Sequence, residues 1–247
     1  MYDVSPVQLL IIAAAGLITS VIGGVAGYGT GALMPLVLVP IVGAEPVVPI
    51  IALSAIFNNV SRATLFRDLV DWRRVRLVIL PALPTCALGA WGYTLLDGRG
   101  ALVVIGSMLV LSVPLRRTLK GRGVTLGNGA LATSAAGWGV LVGGTSGAGI
   151  ILISLLMAAG LEGAAVIATD AAVSTVMGVL KFGVFGVSGV ITAQVVAVGL
   201  LMGVIAVPGA WLAKRLTERL PLRVHTAILD AVVITGGAAM LFRAATF

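Results

Sequence analysis

Charged positions are sparse along this chain, and the apolar runs between them set the elements it can form. A helix crossing about 30 Å of hydrocarbon uses roughly 20 consecutive apolar residues. The runs Pro46 to Ser61, Leu77 to Leu96, Gly100 to Leu115, Gly163 to Phe185, Val190 to Ala213 and Val224 to Phe242 each read as one such crossing. Two intervals are too long for one. Asp3 and Glu45 are separated by 41 residues and Arg122 and Glu162 by 39, none of them charged. Both are interrupted by glycines, in "VIGGVAGYGTGALMP" (Val21 to Pro35) and "LVGGTSGAGIILIS" (Leu141 to Ser154). Non-helical backbone at membrane depth must be buried in protein or line a polar cavity. Each interval therefore predicts two apolar arms around a glycine break, either a tight pair of crossings or a re-entrant hairpin. The pattern predicts an all-α polytopic integral membrane protein with about 8–10 membrane segments.

The two breaks are copies of one another. At an offset of 120, "GGVAGYG" (Gly23 to Gly29) lies over "GGTSGAG" (Gly143 to Gly149) with all four glycines in register, and "GAW" (Gly89 to Trp91) lies over "GAW" (Gly209 to Trp211). Between these matches the offset slips to 117, where Glu45 meets Glu162. This self-similarity predicts a duplication, with repeats over 1–120 and 121–247 forming one membrane domain.

Composition then changes the picture from fold to orientation. The chain is 59% hydrophobic and 10% charged with a net charge of +7, against about 25% charged in an ordinary soluble domain. Thirteen of the 16 Lys and Arg fall into three groups: Arg62, Arg67, Arg73, Arg74 and Arg76; Arg116, Arg117, Lys120 and Arg122; and Lys214, Arg215, Arg219 and Arg223. Such clusters mark cytoplasmic loops, and no basic stretch is long enough or interleaved with aromatics to track nucleic acid. Basic Arg67 to Arg76 corresponds to neutral "GVSGVI" in the other copy, whereas short "LDGRG" corresponds to basic "KRLTERLP". The pattern inverts, which predicts inverted-topology repeats with both termini outside and a substrate site near the midplane. The N-terminus carries Asp3 rather than a positive region, so the first apolar segment is expected to stay. Cys86 is the single cysteine and reads as a packing residue.

The candidate chemistry lies at the breaks and on the helices that follow them. Helix N-termini present unpaired amides and a partial positive charge, and glycine lets backbone approach a ligand, so a glycine turn at mid-depth suits an anion. Candidate substrate contacts are Gly24, Gly27, Tyr28, Gly29 and Thr30 in the first break and Gly144, Thr145, Ser146, Gly147 and Gly149 in the second. The alternative is that these glycines only let helices pack closely. Ser54, Asn58, Ser61 and Arg62 fall on one helical stripe with Asn59 beside it, and the 117 offset places Thr175 over Asn58 with Ser174 adjacent. These are either substrate contacts or interhelical hydrogen bonds. Asp170 and Lys181 share a helix face with Ser174 and Met177. Asp170 reads either as a carrier of a coupling proton or as the partner of a cation on another helix, and Lys181 more readily as a residue snorkelling to the outer interface. Asp230 lies inside the last helix, with His225 near its interfacial end.

The stretches "IGGVAGYGTGALMPLVLV" (Ile22 to Val39), "LSAIFNNVSRATLF" (Leu53 to Phe66), "VDWRRVRLVILPALPTCALGAWGY" (Val70 to Tyr93) and "LVGGTSGAGIILISLLM" (Leu141 to Met157) resemble the TauE/SafE family of membrane permeases, across essentially the whole chain. Where the family commonly continues in glycine, this chain has Thr30 and, in the second copy, Ile150. The resemblance implies about eight helices and transport of sulfur-containing anions such as sulfite or sulfonates, including sulfoacetate.

No catalytic triad, metal-ligand cluster or nucleotide loop is present in the sequence, so the expectation is a non-enzyme without metal or cofactor. The reading is a secondary transporter for small anions in a bacterial inner membrane, working by alternating access, with proton or ion coupling and a homo-oligomer both compatible with it. An anion channel and a membrane subunit without flux of its own are the alternatives.

Overall fold

The computed structural model describes residues 4–26, 30–121, 125–217 and 223–246. Among them are ten α-helices and one 3-10 turn: α1 (Pro6–Ala26), α2 (Thr30–Val42), α3 (Val47–Leu65), the turn Arg67–Leu69, α4 (Trp72–Thr94), α5 (Gly98–Gly121), α6 (Asn128–Gly144), α7 (Gly149–Ala158), α8 (Gly163–Val187), α9 (Ala193–Thr217) and α10 (Arg223–Ala245). There is no strand among the described residues. Six helices, α1, α3, α4, α5, α8 and α9, are long and apolar enough to cross a membrane. The protein is an all-helical polytopic membrane protein.

The helices overrun the apolar runs that define them in sequence. α4 starts at Trp72 rather than Leu77 because Asp71 caps it, accepting from Arg74 N at 3.0 Å; the Asp71 amide in turn donates to Thr169 Oγ1 of α8 at 3.0 Å. Arg73, Arg74 and Arg76 thus occupy the first turns of a helix rather than a loop. A cap and continuous backbone hydrogen bonding set a helix end; hydropathy only sets how deep that end lies.

α2 and α7 are short. At about 1.5 Å per residue, 13 residues reach about 20 Å and 10 residues about 15 Å, less than the hydrocarbon thickness. Each is the half-length second arm of a glycine-broken hairpin. The two inner arms carry the apolar core: Met34, Leu38 and Ile150 are fully or almost fully buried in one cluster with Ile50, Ile105 and Leu109, and Leu152 is fully buried in a second with Leu131 and Trp138.

The principal packing pairs come as mates when α1–α5 are exchanged with α6–α10. α4 packs on α6 and α9 on α1; α3 packs on α9 and α8 on α4; α5 packs on α7 and α10 on α2; α3 meets α8 and α5 meets α10. The correspondence reaches single residues. Gly89 of α4 lies against Val140 and Gly144 of α6, and Gly209 of α9 against Leu17 and Ser20 of α1; Gly89 and Gly209, like Ser20 and Val140, are 120 residues apart.

The α4–α6 seam is backbone on backbone, as small residues permit. A methyl group on Gly143 would stand 2.1 Å from the Cys86 carbonyl oxygen and 2.8 Å from Ala90 N. Gly143→Ala should therefore lower stability by about 1–3 kcal/mol, whereas Gly137→Ala on the same helix, where nothing stands within 4 Å, should be neutral or slightly stabilising. Unfolding of the detergent-solubilised variants separates the two; equal stability would mean that the seam is looser than this.

Candidate functional site

Glycine sequences break each hairpin, and the described ends of the two breaks meet. Gly147 takes φ +90°, a left-handed conformation that glycine alone adopts without strain, and this turns the chain from α6 into α7. A Cβ placed on Gly31, in the first turn of α2, would lie 3.2 Å from Gly147 N, and Ser146 Oγ donates a hydrogen bond to the Gly31 carbonyl. The N-termini of α2 and α7 thus start beside one another. The first amides of a helix have no partners within it; at α7 those of Ile150 and Ile151 turn back onto the Gly147 and Ala148 carbonyls at 3.4 and 3.1 Å.

α3 and α8 supply the polar wall. Asn58, Asn59 and Arg62 are buried on α3. Ser20 Oγ of α1 donates to Asn58 Oδ1 at 3.3 Å and to the Ala206 carbonyl of α9 at 2.9 Å, tying three helices together. Arg62 donates through Nη1 to Asn59 Oδ1 at 3.3 Å and through Nη2 to Asp170 Oδ2 of α8 at 3.4 Å. This ion pair is almost closed to solvent, with side-chain exposures of 5% and 3%. Ser174 Oγ lies 3.5 Å from Asp170 Oδ1, one turn along α8.

Two turns further along, Lys181 is 6% exposed. Its Nζ donates to the carbonyls of Val142 at 2.7 Å and Thr145 at 2.6 Å. These belong to the last turn of α6 and the break beyond it, where unpaired carbonyls and the negative end of the helix dipole favour a cation. The expectation that Lys181 snorkels to the interface is therefore corrected: the broken end of α6 gives it a partner inside the bundle.

These groups surround one cavity of about 130 Å³. Its walls come from both breaks, through Thr30, Gly31, Thr145, Ser146, Gly147 and Gly149, and from Asn58, Asn59, Arg62, Asp170, Ser174 and Lys181. That is room for several waters or one compact oxyanion. Thr30 Oγ1 and Arg62 Nε, both buried, have no hydrogen-bond partner among the described residues. A second cavity of about 660 Å³ lies toward the opposite ends of α2 and α3, lined by Glu45, Tyr93, Thr94, Gln194 and Arg243 among others. Along α2, fully buried Met34 and Leu38 separate the residues that line the two.

The sequence model of the family Sulfite exporter TauE/SafE matches residues 12–240, from α1 to α10, so both breaks and every residue lining the first cavity lie inside the match. The chain belongs to the TauE/SafE family. Neither the curated proteins nor the solved structures yielded a match. The family is one of exporters of sulfur compounds rather than of enzymes.

Not every residue expected at the site of this TauE/SafE protein lies on the cavity. Thr175 is not on its wall and donates instead to the Ala171 carbonyl at 2.8 Å. Gly144 packs against the Gly89 carbonyl, in the close-packing role that was the alternative for these glycines. Gly24 lies within α1, and Gly27, Tyr28 and Gly29 fall outside the described residues.

Arg62 carries two readings in the sequence, on the polar stripe of its helix and in a basic cluster, and the second kept it from the candidate site residues. It reads there as a member of a cytoplasmic loop cluster, whereas it lies in the last turn of α3 and is 4% exposed. The signal was its place on the Ser54, Asn58, Ser61 stripe, which outweighs its nearness to other cations in the chain. Asp230 is also paired, with Arg117 Nη2 of α5 at 3.0 Å; His225 lies in a stretch of α10 whose side chains are outside the described ones. Among the described residues no group of three His, Cys, Asp or Glu could hold a metal ion.

Proposed function

We propose that this TauE/SafE protein is a secondary carrier for small sulfur oxyanions or short sulfonates, such as sulfite or sulfoacetate, and that the 130 Å³ cavity is its substrate site. The observation that carries the reading is the meeting of the two breaks, Gly31 against Gly147, around a buried polar cavity in a bundle whose buried residues are mostly apolar. Helix N-termini and hydroxyls at such a point favour negative charge. The candidate contacts are Thr30, Asn58, Asn59, Thr145, Ser146, Gly147, Gly149 and Ser174, with Asp170 and Lys181 as charge sites.

The exchange of packing partners between α1–α5 and α6–α10 supports two repeats, 1–120 and 121–247, of inverted topology. In that arrangement the larger cavity is a vestibule on the outer side, shut from the site by Met34 and Leu38, and alternating access exchanges that barrier for one on the inner side. Seating in a bacterial inner membrane with both termini outside completes the proposal.

Purified protein in liposomes is expected to give saturable flux of sulfite or of a short sulfonate, with counter-transport of labelled anion. Conductance far above carrier turnover would replace the carrier with a channel. Absence of flux for sulfite, thiosulfate, sulfate and short sulfonates alike would leave a membrane subunit with no transport of its own.

A further inference from the structure

The charges around the cavity do not balance. Among the described residues that line it, the charged side chains are Arg62, Lys181 and Asp170, two cations against one carboxylate, all three buried. Net charge held away from water costs several kcal/mol unless something neutralises it. Lys181 commits two of its three donors to the carbonyls at the end of α6. Arg62 is differently placed. It holds Asp170 by a single contact at 3.4 Å, longer and less complete than the two-pronged pairing of about 2.7–2.9 Å that a guanidinium makes with a carboxylate when nothing competes. Arg62 lines the cavity, and its Nε, buried within the protein, has no hydrogen-bond partner among the described residues.

We propose that Arg62 is the anion ligand of this site and that Asp170 is a resident carboxylate which sets the charge of what enters: a monoanion is taken with Asp170 ionised, and a dianion is taken together with one proton, which Asp170 holds. The proposal rests on the reading of this cavity as the transport site. With Asp170 ionised the three side chains sum to one positive charge, which a monoanion cancels. A dianion overshoots by one, and a proton on Asp170 restores neutrality. That proton comes from the water that delivers the anion and leaves with it on the other side.

Arg62 can serve both acids because Nη2 carries two hydrogens: one holds Asp170, and the other, with Nε–H, forms the side edge of the guanidinium that an oxyanion can take as it enters. Among the described residues no other side chain facing Asp170 competes for this role. α3 brings Arg62 and Asn59; α8 itself brings Ser174 and, at the far side of the cavity, Lys181. At its N-terminus α4 brings the Asp71–Arg74 pair, 3.2 Å apart, with Arg74 also donating through Nη2 to the Ala159 carbonyl, and further along it Cys86. The 3-10 turn carries Arg67 and Asp68, paired with each other in solvent, and α6 and α7 contain no titratable residue.

The test uses the full chain in liposomes with a trapped pH indicator, with sulfate as a fixed dianion and methanesulfonate as a fixed monoanion. Sulfate uptake is expected to carry one proton per anion and to speed up when the entry side is acidified, while methanesulfonate uptake moves no proton. Asp170→Asn should retain sulfate flux without the proton and lose methanesulfonate flux by on the order of tenfold or more. Arg62→Gln should lose both. Where a variant inserts poorly, thermal unfolding of the solubilised wild-type protein decides: sulfate should stabilise it more in acidic than in alkaline buffer, and methanesulfonate equally in both. Flux of both anions with no difference in proton movement, or proton movement with sulfate that survives Asp170→Asn, overturns this proposal alone. Flux of neither anion, nor of any in the wider panel, overturns the transport reading and this proposal with it.

Discussion

Arg62→Ala is expected to destabilise the protein by about 3–5 kcal/mol, a large part of its total stability, because it leaves Asp170 buried without its cation. The residue is 2% exposed, and among the described residues its remaining hydrogen-bond partner is Ser174 Oγ at 3.5 Å. A single hydroxyl at that distance does not replace a guanidinium. The same reasoning makes the double variant informative: Arg62→Met with Asp170→Asn removes both charges and keeps most of the volume, and replacing a buried pair by neutral side chains often costs little. It should recover most of the stability and none of the transport. Unfolding of the solubilised proteins checks both variants. An Arg62→Ala protein as stable as the parent would mean that water reaches Asp170 freely and that the pair is not buried in the sense drawn above.

The membrane fold was legible because the solvent enforces it: hydrocarbon admits backbone only as helices, so spacing between charges translates into crossings. The two breaks were legible as well, from glycine register alone. What hydropathy could not supply was the length of the arms beyond the breaks. "TGALMPLVLVPIV" is apolar throughout, and nothing in such a run marks an arm that stops part-way. The charged residues divide similarly. Asp170 and Lys181 stand out as isolated charges in apolar sequence, but their partners are on other elements, Arg62 across on α3 and the open end of α6. Arg62 also lies five residues from Arg67 in sequence and on the opposite side of a burial boundary from it, 4% exposed in its helix while the Arg67 side chain is 79% exposed. A helix end turns through that boundary within a few residues, which no window average resolves. Ser20 left no signal, because a serine in an apolar helix usually bonds its own backbone; here it reaches Asn58 and Ala206.

Gly147→Leu and Gly31→Leu should each abolish anion flux while the protein still inserts. The two residues fail for different reasons, and the difference can be read experimentally. At Gly147 the obstacle is first the backbone: φ +90° costs a residue with a Cβ about 1–2 kcal/mol, even though the first added atom would make only ordinary contacts, 3.4 Å from Leu109 Cδ2 and 3.5 Å from the Gly31 carbonyl oxygen. At Gly31 the backbone is permissive and the obstacle is space, since the first added carbon already lies 3.2 Å from Gly147 N. Alanine therefore separates them. Gly147→Ala is expected to lower stability by about 1–2 kcal/mol and retain partial flux, whereas Gly31→Ala should cost little stability and lose flux, because it pushes the two breaks apart by a few tenths of an ångström where both line the cavity. Gly183→Leu, on an exposed part of α8 with nothing within 4 Å, is the control and should behave as the parent. Insertion is followed by the amount of folded protein extracted from membranes, and flux by uptake into liposomes at matched protein content. Undiminished flux in both leucine variants would remove the meeting of the breaks from the mechanism and leave these glycines as packing residues only.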